Sequence, residues 1–456
     1  MTDPKGAPSP HRTAALVSIG DELALGQTLD TNTQWMSDRL FALGVRTVEH
    51  VTVEDDTARI TDVFRRLAAE VDLMIVTGGL GPTADDVTRD ALAAALNDQL
   101  TEDQDALEAV RAWFAGRGTD MPAGNAVQAL RPTGGECLPN AHGTAPGLFA
   151  RDAERGCDVF CLPGPPREMT PMFESAVEPR IRREAHRAFG ARAVLCFGLG
   201  ESVVAERLGT LMDRDREGRG EPVVGTTASR MVVSVRLRHT AENEQAVRTT
   251  LNAVEADVNA RLGPAVFGRR DFNAGDAPDL ADALPEAVVA QLNQRRERVV
   301  VVESCTGGLL GELLTSVPGS SDVFGGGWLT YSDAAKAGLV GVDAAEIETH
   351  GAVSAQVALG MARGGLFRAG FLGGAHHSLA ITGIAGPGGG TDDKPAGTVW
   401  IARASVTETG SVNAEARSFR FRGGRAAVRE WSARSALGIL RLHLVGDEMS
   451  LLGETI

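Results

Sequence analysis

Short apolar runs alternate with amphipathic stretches along most of this chain. Runs of four to eight apolar residues that stop at glycine or acidic residues are typical of buried strands, and apolar residues three to four apart are typical of helices. In the first third, strand-like runs lie at 14–19, from 45 on, at 72–76 and at 159–162, and helical stretches at 35–43, 56–69, 85–96 and 166–177. This order predicts an α/β fold with a parallel sheet covered by helices.

The 456-residue chain is too long for a single core, and the residues after the first unit are predicted to form two further units. A small α+β unit is expected at about 193–262, and a linker at 268–279, which is rich in Gly, Pro, Asn and Asp. A second α/β unit follows. Its strands are expected at 298–302, near Trp328, at 378–382 and at 398–402, and its helices up to 292, from 306, at 354–367 and up to 444.

Composition excludes several classes of protein. The formal net charge of -15 argues against a nucleic-acid binder and favours small-molecule substrates. No apolar run approaches the roughly 18 residues that cross a bilayer, and the polar N-terminus lacks a signal-peptide core. The five cysteines are few and show no paired CxxC spacing. We therefore expect a cytoplasmic protein without a membrane partner.

Lysine is almost absent. Of the 45 basic residues only three are lysines, namely Lys5, Lys336 and Lys394. A guanidinium cannot act as a base near neutral pH, so a lysine in an arginine-biased chain marks a position where a deprotonatable amine is needed. Chance is the alternative explanation. The only tyrosine, Tyr331, lies five residues before Lys336.

The segment around Ser304 is the first candidate site. Residues 303–308 (ESCTGG) follow a predicted strand and open a predicted helix, so we expect unpaired backbone N–H groups beyond Ser304 that could hold an oxyanion. A desolvated Lys336 would supply the base that activates a serine hydroxyl. Alternatively, Ser304 is only a helix N-cap, Lys336 a solvated lysine and Tyr331 a packing residue. Cys305 is interpreted as a buried neighbour, not a nucleophile.

A glycine-rich loop forms the other side of this candidate site. Residues 382–391 (TGIAGPGGGT) follow a strand, and glycines there would let a ligand approach the backbone closely. Lys394 is placed to meet a phosphate. His376 and His377 are interpreted as surface residues, because no third metal ligand is evident.

A second candidate site lies in the first α/β unit. Residues 77–88 (TGGLGPTADDVT) place a glycine turn after a strand and two carboxylates before a helix, a pattern suited to phosphate and a divalent ion. Asp21 and Asp55 follow other strands of the same predicted sheet and would converge at its carboxyl edge. The alternative role for Asp85 is helix capping.

The motifs of the last unit resemble the CinA C-terminal domain, the nicotinamide mononucleotide deamidase family. ESCTGG, TYSDAAK, GAVS and TGIAGPGGGTDDKPAGTVW occur in family order over about 160 residues. The resemblance implies hydrolysis of nicotinamide mononucleotide to nicotinic acid mononucleotide and ammonia without a cofactor. It implies Ser304 as nucleophile and Lys336, Tyr331 and Thr382 as further catalytic residues. The glycine run at 325–327 and the glycine-rich stretch 364–374 depart from the commoner pattern.

The first unit resembles the molybdopterin-binding α/β/α domain shared by molybdenum-cofactor proteins and the CinA N-terminus. Besides residues 77–88, the likeness rests on NAHGTAPG and LPGPPREM, over about 170 residues. It implies ADP-ribose pyrophosphatase activity with a divalent ion such as Mg²⁺, with Asp86 and Asp55 catalytic and Asp21, Asp55 and Asp86 as metal ligands. A pterin nucleotide is the alternative substrate. The middle unit resembles the KH-like domain of CinA proteins, although residues 191–240 lack the GxxG loop that clamps nucleic acid.

These resemblances give the domain boundaries and the binding residues. The predicted segments are a flexible tail (1–12), a molybdopterin-binding-like domain (13–185), a KH-like domain (186–267), a linker (268–278) and a deamidase domain (279–446). The predicted substrate-binding residues are Cys305, Thr306, Gly307, Gly308, Gly383, Gly386, Lys394, Gly78, Gly79, Gly81, Gly143 and Thr144. A homo-oligomer is expected. The competing hypotheses are an enzyme of molybdenum-cofactor synthesis and a non-enzymatic competence or recombination adaptor.

Overall fold

The computed structural model describes residues 11–181, 188–272 and 280–455. These form two compact units, one chiefly of residues up to Gly190 and the other chiefly of residues from Ala191 on. Most of the predicted tail lies outside the described residues, but the prediction is wrong for His11, which is buried and lies 3.2 Å from the carboxylate of Asp158.

The N-terminal domain is an α/β/α sandwich. Its sheet has the order β2-β1-β3-β8-β7-β6, in which β2, β1, β3 and β8 are parallel neighbours, as the alternation predicted. Strands β7 and β6, which the apolar pattern did not predict, extend the sheet antiparallel to β8. The elements are β1 (Thr13–Ile19), α1 (Asp21–Ala24), α2 (Asn32–Ala42), β2 (Arg46–Val53), α3 (Thr57–Ala68), β3 (Leu73–Thr77), α4 (Thr88–Ala95), β4 (Leu100–Glu102), α5 (Gln104–Ala115), β5 (Leu130–Pro132), β6 (Glu136–Leu138), β7 (Gly147–Asp152), β8 (Cys157–Leu162) and α6 (Pro166–Met172).

Both faces of this sheet are buried. On one face Ile60 and Phe64 of α3 pack against the strands, and on the other Met36 and Leu40 of α2 do so. Strands covered on both faces read as continuous apolar runs, which is why β1 and β3 were evident from the sequence. Since parallel strands end at a common edge, the loops after β1, β2, β3 and β8 meet there.

The middle domain is a sheet of order β10-β11-β9-β12 with two helices. Its elements are β9 (Ala188–Phe197), α7 (Glu201–Leu208), β10 (Val223–Ser229), β11 (Val232–Ala241), α8 (Glu244–Leu262) and β12 (Val266–Asp271). The predicted linker is therefore wrong at residues 268–271, which complete β12. The buried Arg192 of β9 explains this, because its Nε donates to Asp271 at 2.5 Å across the antiparallel pair. Residues 273–279 lie outside the described part of the chain.

The C-terminal domain is built on a mixed sheet of order β14-β13-β15-β16-β17-β18. Strands β14, β13 and β15 are parallel neighbours, and β16 to β18 continue the sheet antiparallel. The elements are α9 (Ala283–Arg295), β13 (Val299–Glu303), α10 (Leu309–Thr315), β14 (Phe324–Leu329), α11 (Asp333–Val340), α12 (Ala344–His350), α13 (Ala355–Arg368), β15 (His377–Gly383), β16 (Thr398–Val406), β17 (Val412–Arg420), α14 (Arg425–Val445) and β18 (Glu454–Thr455).

His377 is buried inside this domain next to the partly buried His443, which corrects the prediction that His377 is a surface residue. His377 is 3% exposed, and its ring nitrogens lie 2.8 Å from the Ser405 hydroxyl and 2.9 Å from Glu297. The ring of His443 on α14 packs edge-on against it, with the centroids 5.6 Å apart. Burial lowers the pKa of His377 and lowers the pKa of His443 to about 4.

This histidine pair makes stability depend on pH. In the unfolded chain both rings bind protons near the ordinary pKa of 6.5, whereas in the folded chain they stay neutral to lower pH, so protons favour unfolding. Between about pH 7 and about pH 4.5 we expect the free energy of unfolding to fall by on the order of 1 kcal/mol through His443 alone. Urea unfolding at several pH values measures this. His443→Leu should flatten the dependence and His50→Leu, at an exposed position, should not; equal slopes would refute the assignment.

Candidate functional site

Ser304 directly follows β13, and Thr382 lies near the carboxyl end of β15, the neighbouring parallel strand of the C-terminal sheet. Glu303 at the end of β13 pairs with Ile381 of β15, and the N–H of Ser304 donates to the Ile381 carbonyl at 3.0 Å. Thr382 is buried, and its hydroxyl donates to the carbonyl of Ala352 at 2.7 Å. Both predicted catalytic residues therefore lie at the carboxyl edge of the sheet, but the Thr382 hydroxyl holds the segment before α13.

Lys336 on α11 lies beside Ser304. Its side chain is 2% exposed, and its Nζ lies 3.4 Å from Ser304 Oγ and 3.6 Å from Asp333 Oδ1. Ser332 caps α11 by accepting the N–H of Ala335 at 3.1 Å, which fixes the turn that carries the lysine. Burial lowers the pKa of Lys336, and the charge of Asp333 partly opposes this. The solvated-lysine alternative is thereby excluded.

The loop after Ser304 is organised by Glu303. The carboxylate of Glu303 is buried and accepts the N–H groups of Gly308, Leu310 and Gly311 at 2.9–3.1 Å. These three donors are therefore satisfied within the protein, and the prediction of unpaired N–H groups is wrong for them. Helix α10 begins at Leu309 with Gly308 as its N-cap, because residues 307 and 308 adopt positive φ. Ser304 is accordingly not a helix cap.

Cys305 and Thr306 occupy the turn between Ser304 and α10. Cys305 is buried, and burial raises the pKa of its thiol to about 11, which suits a packing residue and not a nucleophile. The hydroxyl of Thr306 is also buried and has no hydrogen-bond partner among the residues that the structure describes. Gly307 and Gly308 give the turn its shape. Their predicted role in binding is therefore limited to setting the course of the backbone in this turn.

Two arginines at the start of α14 complete the site, and sequence analysis missed both. Arg425 donates to the Tyr331 hydroxyl and to the Gly386 carbonyl, each at 3.1 Å. Arg429 donates to the Thr306 carbonyl at 2.7 Å. Tyr331 is 67% exposed, so it does not serve to pack the core. In a chain rich in arginine these two carried no distinguishing signal.

The glycine-rich loop lies between β15 and β16. A Cβ on Gly383 would come within 3.0 Å of the Thr398 carbonyl, so glycine is needed for the close approach of the two strands. Gly386 contributes its carbonyl to Arg425. Lys394 Nζ donates to the carbonyl of His350 at the end of α12, at 2.7 Å, and thus fastens the loop to that helix. A contact between Lys394 and a substrate phosphate stays a prediction.

In the N-terminal domain a cavity of about 600 Å³ opens at the carboxyl edge of the sheet. The glycines of the loop after β3 form one wall, and added Cβ atoms on Gly78 and Gly79 would collide with the Ile19 carbonyl and the Thr88 hydroxyl. Both residues adopt positive φ, which glycine alone accepts readily. The lining includes the predicted residues Gly78, Gly79, Gly81, Thr144, Asp55 and Asp86, together with Asp30, Asp85, Gln128 and Glu168.

The carboxylates near this cavity have different roles. Asp86 accepts the N–H groups of Gly81 and Thr83 at 2.7 and 2.8 Å, so it holds the glycine loop in shape. Asp55 and Asp21 each accept the other's backbone N–H, at 2.9 and 3.2 Å. Burial raises the pKa of Asp55, and the nearby charges of Asp21, Asp85 and Glu22 add to this. Helix α4 is preceded by Val87 as N-cap, so Asp85 does not cap it.

The predicted metal set of Asp21, Asp55 and Asp86 does not fit a divalent ion in this arrangement. Both oxygens of Asp86 are engaged by the loop, and no group of three or more His, Cys, Asp or Glu side chains in the described ranges is placed to hold a metal. The divalent ion stays a prediction.

The loop before β7 supplies one further wall of the cavity. Thr144 accepts a hydrogen bond from Gln128 Nε2 at 3.2 Å. Gly143 packs against Glu168, whose carboxylate also accepts from Asn140 at 2.9 Å. Glu168 lies in the LPGPPREM motif but was not selected as a site residue. Its position in the cavity depends on α6 crossing the sheet edge, which a local pattern does not reveal.

Family models account for the three domains. The model described as CinA C-terminal domain matches residues 281–444, and the model described as Probable molybdopterin binding domain matches residues 15–183. The model described as Damage-inducible protein CinA KH domain matches residues 191–268. Among the described helices, none combines the length and hydrophobicity that a membrane span requires.

Relatives of known sequence cover nearly the whole chain. A CinA-like protein of Geobacter metallireducens is 39% identical over 433 residues, 94% of this chain and 99% of the relative. A CinA-like protein of Desulfovibrio desulfuricans is 38% identical over 437 residues, 95% of this chain and 96% of the relative. The crystal structure of the competence/damage inducible protein CihA from Agrobacterium tumefaciens is 37% identical, covers 36% of this chain and 94% of its own, and has a TM-score of 0.33. The chain belongs to the CinA family, with a molybdopterin-binding-like, a KH and a CinA C-terminal domain in that order.

Proposed function

We propose that the C-terminal domain is an amidase that hydrolyses the carboxamide of nicotinamide mononucleotide. The observation that carries this proposal is the buried Lys336 amine 3.4 Å from the Ser304 hydroxyl. Burial favours the neutral amine, and a neutral amine at hydrogen-bond range is what converts a serine hydroxyl into a nucleophile.

The reaction follows from this pair. Ser304 Oγ attacks the carboxamide carbon while Lys336 takes its proton, and the backbone N–H groups of Cys305 and Thr306 hold the oxyanion that forms. Lys336 returns the proton to the amide nitrogen, the C–N bond breaks, and ammonia leaves. Lys336 then takes a proton from water, which attacks the ester carbon and releases the carboxylate product. Ser304 regains its proton in this last step.

The mouth of the site supports a phosphorylated substrate. Arg425 is exposed there and is held between the Tyr331 hydroxyl and the Gly386 carbonyl, so its guanidinium is oriented before a ligand arrives. A guanidinium recognises phosphate well, and a preorganised one loses less side-chain freedom on binding. The family resemblance selects nicotinamide mononucleotide among nucleotides that carry a carboxamide.

Ammonia release on incubation with nicotinamide mononucleotide tests the proposal. Ser304→Ala and Lys336→Arg should each lower kcat by at least about 10³-fold, because one removes the nucleophile and the other its base. Lys336→Arg keeps a long basic side chain but removes the deprotonatable amine, and circular dichroism checks that the fold is intact. Ser411→Ala, at an exposed position in the β16–β17 turn, is the matched control. Activity retained in Lys336→Arg would eliminate the amine as base.

The pH profile gives a second test. Only neutral Lys336 can accept a proton, so kcat/KM should rise with pH through the lowered pKa of this amine. The charge of Asp333 raises that pKa, and Asp333→Asn should therefore move the rising limb to lower pH. Asp322→Asn, also exposed in this domain, should leave the limb in place. A shift to higher pH in Asp333→Asn contradicts the assignment.

For the N-terminal domain we propose hydrolysis of the pyrophosphate of ADP-ribose. Three features support this proposal: a cavity of about 600 Å³ that has the dimensions of a nucleotide, a glycine loop suited to phosphate, and acidic groups that face the cavity. Asp55 has a raised pKa and is the candidate to accept a proton from the attacking water, whereas Asp86 holds the loop. Binding of a pterin nucleotide in molybdenum-cofactor synthesis uses the same cavity and is the competing hypothesis.

Release of AMP from ADP-ribose, with and without Mg²⁺, tests this second activity. Asp55→Asn should abolish turnover while binding persists, and Asp86→Asn should weaken binding because an NH2 group replaces one of the two oxygens that accept from the glycine loop. Asp62→Asn, exposed on α3, is the control. Tight pterin binding without AMP release would favour the cofactor hypothesis, and absence of both catalytic activities with retained protein partners would favour an adaptor.

A further inference from the structure

Helix α14 connects the amidase site to the middle domain. Its first turns carry Arg425 and Arg429, the two arginines that contact Tyr331 and the Thr306 carbonyl. Its following turns contact residues of the middle domain. Any shift of α14 would therefore move both arginines relative to Ser304.

The first contact is an ionic network around Arg434. This guanidinium is 1% exposed, and it lies 3.2 Å from Glu430 and 3.4 Å from Asp282. Arg230 of the middle domain shares both carboxylates, at 3.4 Å from Glu430 and 3.6 Å from Asp282. The two guanidinium groups thus share two carboxylates. Through Arg230 the middle domain contacts the second turn of α14.

The turn that presents Arg230 has a disfavoured backbone. Arg230 and Met231 connect β10 to β11 between the paired residues Ser229 and Val232, and their φ angles are +46° and +67°. Hairpin turns with positive φ at both central residues strongly prefer Asn-Gly, and side chains with a Cβ rarely adopt them. Such a conformation persists only where the surroundings impose it. Here Met231 packs against the C-terminal hydrophobic core, which also contains Val232.

Contacts continue along the helix beyond this turn. The Phe197 ring of β9 lies where a side chain on Gly438 would otherwise be, since an added Cβ would collide with it. Arg441 is buried and donates to the carbonyls of Val266 and Pro264 at the start of β12. The middle domain therefore holds α14 at three successive levels.

We propose that the Arg230–Met231 turn is a positioning device for the amidase site. By holding α14 through Glu430, Arg434 and the core, the turn sets where Arg425 meets the substrate phosphate. The middle domain thereby acts on nucleotide affinity without touching the nucleotide. This inference rests on the amidase function proposed above.

The double variant Arg230→Asn, Met231→Gly tests it. Asn-Gly is the preferred sequence for this hairpin, so the turn itself should become more favourable while its contacts with α14 are lost. We expect KM for nicotinamide mononucleotide to rise by at least about fivefold with kcat nearly unchanged, because uniform substrate binding is lost. The single variant Arg230→Lys, which keeps a cation at this position, should retain most of the affinity. The control Arg207→Asn, exposed on α7, should have the KM of the wild type. KM for nicotinamide riboside, which lacks the phosphate, should not change.

Hydrogen exchange separates this inference from the amidase proposal. In the double variant, amides of residues 428–434 should exchange faster at an unchanged thermal midpoint, whether or not the protein releases ammonia. If the wild type has no amidase activity, the proposed function fails and the exchange data still decide the positioning role. Unchanged exchange in residues 428–434 would overturn it, as would an equal rise in KM for the phosphate-free substrate.

Discussion

The proposed chemistry of the C-terminal domain depends on an amine held out of water beside a hydroxyl. Burial of Lys336 disfavours its ammonium form, and Asp333 one turn earlier on α11 restores only part of the charge stabilisation. A guanidinium at the same position would stay protonated, so it could not accept a proton from Ser304. This requirement gives a physical reason for lysine at residue 336 in a chain where 45 basic residues include only three lysines.

The geometry around that amine is fixed by Glu303. A buried carboxylate at the end of β13 satisfies three N–H groups at the start of α10, so the turn of residues 305–308 is held without a ligand. The partial positive charge at the N-terminus of α10 is thus already neutralised by the carboxylate of Glu303. The N–H groups of Cys305 and Thr306, directly after Ser304, are the donors that the proposed mechanism assigns to the oxyanion. Preorganised donors of this kind stabilise charge without rearrangement during the reaction.

The sequence predicted the features that have a local signature. Strands β1, β3 and β13 are continuous apolar runs because helices cover both their faces, and Ser304 with Lys336 combined a motif with an unusual residue choice. Arg425 and Arg429 were missed, because their contacts with Tyr331 and Thr306 depend on how α14 packs, and arginine is common in this chain. Strand β17 was missed for a related reason: its residues are mostly polar or small and lie towards the sheet margin, so no apolar run marks it.

Arginine and lysine have divided roles in this fold. Arg434 is as deeply buried as Lys336, but the carboxylates of Glu430 and Asp282 lie within 3.4 Å of its planar guanidinium and help to hold α14 in place. Within the described ranges, the one carboxylate paired with Lys336 belongs to the exposed Asp333, and burial lowers the pKa of the amine. Burial thus favours the neutral form of an amine, whereas a guanidinium stays protonated near neutral pH. Because only three of the 45 basic residues are lysines, the two roles fall to different residue types in this chain.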